Sequence, residues 1–278
     1  MSESEDTLRV AALQYDVVPD VDENRASVGA GLEQAAARGV QLVLLPEMWA
    51  SSFPPGRTGL EERVAGDREA AAWLGERSAA LGLAVAGSSL AMEDGELRNR
   101  LELFDGGEAR LVYDKVHLFT PTAEQELFGA GDRPPATVEV QGARVSGGIC
   151  YDLRFPEFWR LPFRDGAQVL LCPAQWPTPR DGHLRSLTVA RAVECQAFVV
   201  SCNRTGRAVI GRRKLELDFP GNSLIVSPYG EILAEGTGES GLVTAELELR
   251  QVHSFRTRVP VVKDELPELY RRWYAGDR

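Results

Sequence analysis

The stretch Q-L-V-L-L-P-E, Gln41 to Glu47, is apolar from its second residue to its sixth and then ends in a carboxylate. A strand with one wet face alternates apolar and polar side chains. A run without alternation reads as a strand buried on both faces, inside a layered sheet. Outward from it, Leu8–Gln14 reads as another strand. Asn24–Arg38 is Ala-rich with helical spacing, and Gly39 ends it. Glu61–Leu81 reads as a helix closed by Gly82, and Leu83–Ser89 as a second buried strand. Arg98–Phe104 and Ala109–Tyr113 form a hairpin across D-G-G. Ala143–Ile149 is a strand ending at Cys150, Phe155–Asp165 a helix and Ala167–Pro173 a buried strand. Leu184–Gln196 is a helix and Ala197–Cys202 a strand. Asn222–Ser227 and Glu231–Ala234 flank the turn S-P-Y-G, and Gly241–Leu247 is the last strand. Strands alternating with helices predict a layered α/β fold, and the hairpins predict mixed rather than wholly parallel sheets.

The chain has 278 residues and shows no linker, repeat or low-complexity segment. It reads as a single domain over 1–278, with a core from about residue 8 to about residue 250. Residues 251–278 form a basic, aromatic tail. The Pro- and Arg-rich pieces Pro173–Arg180 and Thr205–Lys214 are expected to be loops over a site. Lys plus Arg number 31 and Asp plus Glu 41, a net charge of −10. That field repels phosphate backbones and anionic membranes, so neither nucleic acid nor membrane is expected as a partner. No run approaches the roughly 20 apolar residues of a membrane span. The first residues, M-S-E-S-E-D-T, are acidic, the opposite of a secretory leader. Cys150, Cys172, Cys195 and Cys202 contain no C-x-x-C pair, which argues against a zinc site or a disulfide framework. A reducing, cytoplasmic setting follows.

Buried strands usually end in turn residues. Three here end in reactive ones: Glu47 after Leu42–Leu45, Lys115 after Ala109–Tyr113 and Cys150 after Arg144–Ile149. Sites in α/β sheets gather just past the carboxyl ends of strands. A thiol has an ordinary pKa of about 8.5, and the thiolate is the nucleophile. A carboxylate can take the thiol proton and later hand it to a leaving amine. The lysine, with the backbone N–H of Tyr151, can hold the oxyanion of a tetrahedral intermediate, one such donor being worth about 3 kcal/mol. The set suits acyl transfer from a C–N bond through a thioester, with no metal or organic cofactor. Each residue also has a plain reading: a packed core thiol, a capping glutamate, a surface lysine. Cys172, Cys195 and Cys202 read as core. A Cys–His pair is the rival mechanism, and only His117, His183 and His253 are available, with His117 read as structural.

At these residues the chain resembles the nitrilase, or carbon–nitrogen hydrolase, superfamily. L-L-P-E-M-W is similar to that family's first catalytic block, Y-D-K-V-H-L-F to its second and G-G-I-C-Y-D-L-R-F-P-E to its third. A-Q-W-P-T-P-R, C-N-R-T-G, F-P-G-N-S and S-P-Y-G-E-I-L agree with later blocks, so the resemblance spans almost the whole chain. It implies a four-layer α-β-β-α sandwich of two mixed sheets, paired into a homodimer or larger homo-oligomer; the aromatic tail after Leu266 reads either as part of such an interface or as a terminal helix on its own core. It implies Glu47 as general base, Lys115 as oxyanion and proton-transfer partner, and Cys150 as nucleophile. A second family carboxylate in the loop after the lysine falls on Glu124, with Glu126 two residues on as the other choice.

The sub-pattern looks most like the omega-amidase branch, which implies a small 2-oxo acid amide such as 2-oxoglutaramate as substrate and ammonia as product. Arg154 then forks onto the substrate carboxylate, unless it is tied up with Glu47 or Glu157. Trp176 walls the pocket, or merely packs under a loop. Arg180 and Arg204 are weaker anion candidates. Gln175 stands where that branch more often has Asn, and the charged segment 208–218 matches nothing in it. The neighbouring readings are an amidase for deaminated glutathione or an N-carbamoyl amino acid hydrolase. A reading of another class is a non-catalytic binding or scaffold protein on the same fold.

Overall fold

The computed structural model describes residues 6–210 and 214–276. Six strands build the first sheet: β1 (Thr7–Gln14), β2 (Leu42–Leu44), β3 (Ala84–Glu93), β4 (Glu96–Asp105), β5 (Glu108–Asp114) and, from late in the chain, β14 (Gly241–Glu248). Their order is β14-β1-β2-β3-β4-β5. β1, β2 and β3 run parallel, with Val10 beside Leu42 and Leu42 beside Ala84. The hairpins to β4 and β5 and the pairing of β1 with β14 are antiparallel. The β4–β5 turn uses Gly106 and Gly107, both at positive φ, as a tight hairpin requires.

The apolar run that opens the argument is buried as its pattern demands. Leu42 and Leu44 face the second sheet, within a core that includes Val10, Ala12, Ala84 and Ala86. Val43 and Leu45 face the helices α1 (Val21–Ala37) and α2 (Leu60–Leu81), packed with Val28, Leu32 and Leu74. Asp20 caps α1 by accepting the N–H groups of Asp22 and Glu23, and Gly39, at φ 69°, turns the chain out of it.

The second sheet has the order β13-β12-β9-β8-β7-β6. Its members are β6 (Val138–Val140), β7 (Ala143–Gly147), β8 (Val169–Ala174), β9 (Phe198–Asn203), β12 (Leu224–Val226) and β13 (Ile232–Glu235). Helices α3 (Pro156–Arg164) and α4 (Asp181–Cys195) cover it, with Phe158, Trp159, Leu184 and Cys195 in the shared core. The result is the four-layer α-β-β-α sandwich of two mixed sheets. Past β14 the chain forms α5 (Arg250–Arg258), α6 (Val261–Asp264) and α7 (Pro267–Tyr274).

One expected loop is ordered instead. Most of Thr205–Lys214 belongs to an antiparallel arm, β10 (Thr205–Ile210) paired with β11 (Leu215–Pro220) from Thr205↔Pro220 to Ile210↔Leu215. The arm stands outside both sheets, so its strands keep charged and exposed residues that mask the alternation. Gly211, Arg212 and Arg213, part of the charged 208–218 segment, lie outside the described residues, as do residues 1–5 of the acidic start. Among the described residues no helix is long and apolar enough to cross a membrane.

Candidate active site

Glu47 lies three residues past β2, Lys115 directly past β5 and Cys150 three residues past β7. The two stacked sheets thus deliver them to one end of the sandwich. Lys115 Nζ donates to Glu47 Oε1 at 2.7 Å and to both oxygens of Glu124 at 3.0 and 3.1 Å. All three side chains are buried. Glu47 is held further by Asn99 Nδ2, donating to Oε1 at 2.8 Å, and by the Gln175 N–H, donating to Oε2 at 3.1 Å. The Gln175 side chain also donates to the main-chain carbonyl of Glu47 at 2.8 Å. The Gln175 side chain therefore braces the Glu47 main chain, while its backbone N–H serves the carboxylate. Glu124 sits in a short 3₁₀ turn, where Oε2 accepts the Phe119 N–H at 2.8 Å. Glu126 is exposed, so the turn sends only one of the two candidates to Lys115.

Cys150 begins a 3₁₀ turn, Cys150–Arg154, at φ 45°, a left-handed backbone that residues with a Cβ rarely adopt. The two glycines before it answer to close packing. A Cβ on Gly147 would fall 2.9 Å from the Leu171 carbonyl oxygen, and one on Gly148 would fall 2.5 Å from the Phe158 ring. Burial, and then Glu47, push the Cys150 thiol well above its ordinary pKa, against the pull of Lys115. Burial alone would discharge Lys115, yet Glu124 and Glu47 outweigh it and hold its pKa well above the ordinary lysine value. Burial raises the pKa of Glu124 despite Lys115.

Glu47, Glu124 and Cys150 floor a cleft with about 460 Å³ of empty space, with Lys115 buried beneath. Phe53, Phe119 and Trp176 give it apolar walls, and Ile210, Leu217 and Phe219 of the arm close one side. Tyr151 lines it, edge-on to Phe119 at 4.9 Å. Arg154 lines it too, its guanidinium 4.8 Å above the Trp176 ring and 3.1 Å from His183 Nδ1. Among the described residues neither Glu47 nor Glu157 pairs with Arg154; Lys115 holds the first and Tyr274 Oη donates to the second. Trp176 is fixed from both ends, its N–H donating to Asn203 Oδ1 at 2.7 Å and its indole to the Arg180 carbonyl at 2.6 Å. Arg180 lies over Phe119 at the rim. Arg204 is a structural cation, buried and bonded to Asp16 at 2.7 Å.

Among the described residues no histidine lines the cleft. His117 stacks on Phe155 with ring centres 3.7 Å apart, and its Nδ1 lies 2.7 Å from Asp152 Oδ1. His253 is exposed on α5. Cys172, Cys195 and Cys202 are sealed in the core. Sequence reasoning missed Asn99, Asp152 and the arm. One signal was present: Tyr113, Lys115 and His117 stand at period two around the lysine.

Residues 9–257 match the carbon–nitrogen hydrolase family. The chain is 34% identical to the 2-oxoglutaramate amidase of Bacillus subtilis (strain 168) over 264 residues, covering 94% of this chain and 98% of that protein. It is 32% identical to omega-amidase YafV of Escherichia coli (strain K12), covering 96% and 99%. Among solved structures, a mutant of the amidase from Nesterenkonia sp. AN1 superposes with a TM-score of 0.83 at 28% identity, covering 96% of each chain. That crystal carries the acetamide moiety of fluoroacetamide added covalently at the active-site cysteine.

Proposed function

This chain belongs to the carbon–nitrogen hydrolase family, and on that premise we propose that it cleaves the terminal amide of a small 2-oxo acid amide of the 2-oxoglutaramate type, with Cys150 as nucleophile. Glu47 takes the Sγ–H proton as sulfur bonds to the amide carbon. Lys115 Nζ and the Tyr151 N–H hold the oxygen as it gains charge. The C–N bond breaks, Glu47 returns the proton to the departing nitrogen, and ammonia leaves a thioester on Cys150. Water, deprotonated by Glu47, then attacks the thioester and frees the acid and the thiol. Glu124 holds Lys115 in place throughout.

The observation that carries this reading is the distribution of charge in the cleft. The floor has the carboxylates of Glu47 and Glu124, with the Lys115 ammonium buried between them. Among the described residues, the other formal charges along the wall are the guanidiniums of Arg154 and Arg180. A substrate carboxylate is repelled by the floor and attracted to the rim, which turns the amide toward Cys150. Arg154 forks onto that carboxylate and Trp176 walls the chain between. The names of the relatives in Bacillus subtilis and Escherichia coli support the same substrate class.

The four free thiols support a cytoplasmic setting. We read residues 8–250 as one catalytic domain, supported by the extent of the family match, and the tail as a homodimer contact. Leu161 of α3 and Tyr270 and Trp273 of the tail line a shared exposed face that supports such a contact.

The deciding experiment is ammonia release from 2-oxoglutaramate by wild type and Cys150→Ala, beside glutamine and an N-carbamoyl amino acid. Release that requires both the 2-oxo amide and the thiol supports the reading. Equal turnover by Cys150→Ala would sink it, and preference for the carbamoyl substrate would move it to the neighbouring branch.

A further inference from the structure

Asp152 lies two residues past Cys150 and is fully buried. Its carboxylate meets four donor groups. Oδ2 accepts the Ile149 N–H at 2.8 Å and the Tyr113 O–H at 2.8 Å. Oδ1 accepts the His117 N–H at 3.2 Å and faces His117 Nδ1 at 2.7 Å. Tyr113 Oη in turn accepts the Val116 N–H at 3.0 Å. Burial, then Asp152 itself, hold the Tyr113 hydroxyl protonated by pushing its pKa far above the ordinary phenol value.

These partners fall into two groups. Ile149 immediately precedes Cys150. Tyr113, Val116 and His117 flank Lys115 on both sides. A buried carboxylate is tolerated only where its bonding capacity is met, and this one is met wholly by the two segments that carry the nucleophile and the ammonium. Those segments leave different sheets, β7 and β5, so no backbone ladder between neighbouring strands fixes one against the other. Cys150 also needs restraint, because a non-glycine residue at φ 45° keeps that geometry only where its surroundings over-determine it.

We infer that Asp152 is a positioning residue, a buried clasp that sets Lys115 against Cys150 through Tyr113, His117 and the Ile149 amide. It touches no substrate. The inference rests on the roles proposed for Cys150 and Lys115.

The test is a set of variants. Asp152→Asn turns one acceptor into an N–H₂ group that faces other donors. Its kcat is expected to fall about 100-fold, the cost of an ångström of misplacement, with KM within about threefold of wild type because substrate binding is left alone. His117→Asn presents an amide N–H close to where Nδ1 stood and should stay within about fivefold of wild type, whereas His117→Phe loses the donor and should fall at least tenfold, roughly the range for lost supporting bonds. A substrate-free readout runs beside these: alkylation of Cys150 by iodoacetamide, followed by mass spectrometry, should slow about tenfold in Asp152→Asn. Failure of the substrate reading would silence turnover in wild type while leaving this comparison intact. The inference is overturned by an Asp152→Asn protein with native unfolding temperature and wild-type kcat, by a loss confined to KM, or by His117→Asn being as slow as His117→Phe. Should Asp152→Asn fail to fold, the two His117 variants and Tyr113→Phe, expected to lose kcat like His117→Phe, decide the matter.

Discussion

Lys115 Nζ lies 2.7 Å from Glu47 Oε1, and the two side chains are 0% and 1% exposed. On its other side the same ammonium meets Glu124 at 3.0 Å. One buried cation thus serves two buried carboxylates. Removing it from Lys115→Met leaves both acids uncompensated, and breaking a buried pair in this way costs about 3–5 kcal/mol. Thermal unfolding should show a large loss of stability together with loss of turnover. Lys115→Arg should not restore activity, because a planar fork cannot occupy the place of a point charge between two acids. An active, stable Lys115→Met protein would contradict this account.

Only one of the four thiols should react in the native protein. Cys150 is 9% exposed at the floor of the cleft, whereas Cys172, Cys195 and Cys202 are at most 1% exposed. Burial raises the pKa of all four thiols, so access to the cleft, not acidity, singles out Cys150. Mass spectrometry after mild alkylation should find a single adduct, lost in Cys150→Ala, and four adducts after unfolding. Native adducts on the strand cysteines would show a looser core than described.

The pH profile follows from the same charges. Burial raises the Glu124 pKa, so this carboxylate takes up its proton above the ordinary range as pH falls. Protonation weakens its hold on Lys115, and kcat/KM should drop on the acid side with a midpoint above about 4.5, as a property of the coupled site rather than of one residue. The raised Lys115 pKa keeps the ammonium charged as pH rises. Activity should therefore hold from neutral pH through about 9.5, since the ordinary lysine value is near 10.4. A fall between pH 8 and 9.5 would place the lysine in a different state.

Stability carries its own pH signature at Asp67, buried in α2 and accepting the Leu90 N–H at 2.8 Å. Burial raises its pKa from 3.8 to about 6, against the bond from Leu90 and the charge of Arg63. The folded state prefers the protonated form. Its contribution is present below the unfolded value and is lost as pH rises through about 6. A shift of about two pKa units is worth about 3 kcal/mol. Asp67→Asn keeps an oxygen for Leu90 and never ionises. Its stability relative to wild type should be higher at pH 8 than at pH 4.5 by roughly 2 kcal/mol. A difference independent of pH would refute the assignment.

Arg154 should matter for charged substrates alone. Charge-assisted hydrogen bonds are worth about 1.5–3 kcal/mol, so Arg154→Ala should raise KM for a carboxylate-bearing amide about 10- to 100-fold. A neutral amide of similar length should be affected little. Equal losses on both would mean that the guanidinium serves only to pack on Trp176.

Much of this architecture is legible in the sequence because burial writes itself into side-chain pattern. Leu42–Leu45 had to be a doubly buried strand, and the charged residue after it had to leave the sheet at an edge. The same logic reached Lys115 and Cys150. Glu124 could not be separated from Glu126 in advance, because a three-residue turn has no periodicity to fix its phase. Asp152 escaped because its partners come from two distant segments. The β10–β11 arm escaped because it joins neither sheet as a strand, and nothing forces its outer residues to be apolar. For Arg154 the sequence leaves a free and an ion-paired state equally open, and the structure decides because Tyr274 and Lys115 hold its two possible partners.

The pairing of β1 with β14 runs residue by residue from Thr7↔Glu248 to Gln14↔Gly241. On a ribosome the first strand is made more than two hundred residues before its neighbour. Until that neighbour emerges, one edge of β1 offers unpaired N–H and C=O groups to any other chain. Closure late in synthesis also favours slow folding, since contacts distant in sequence form last. The same join brings Thr7 and Glu248 side by side, so a circular permutant with these positions linked and new ends cut elsewhere would carry the strand pair as a local hairpin and fold faster than its parent.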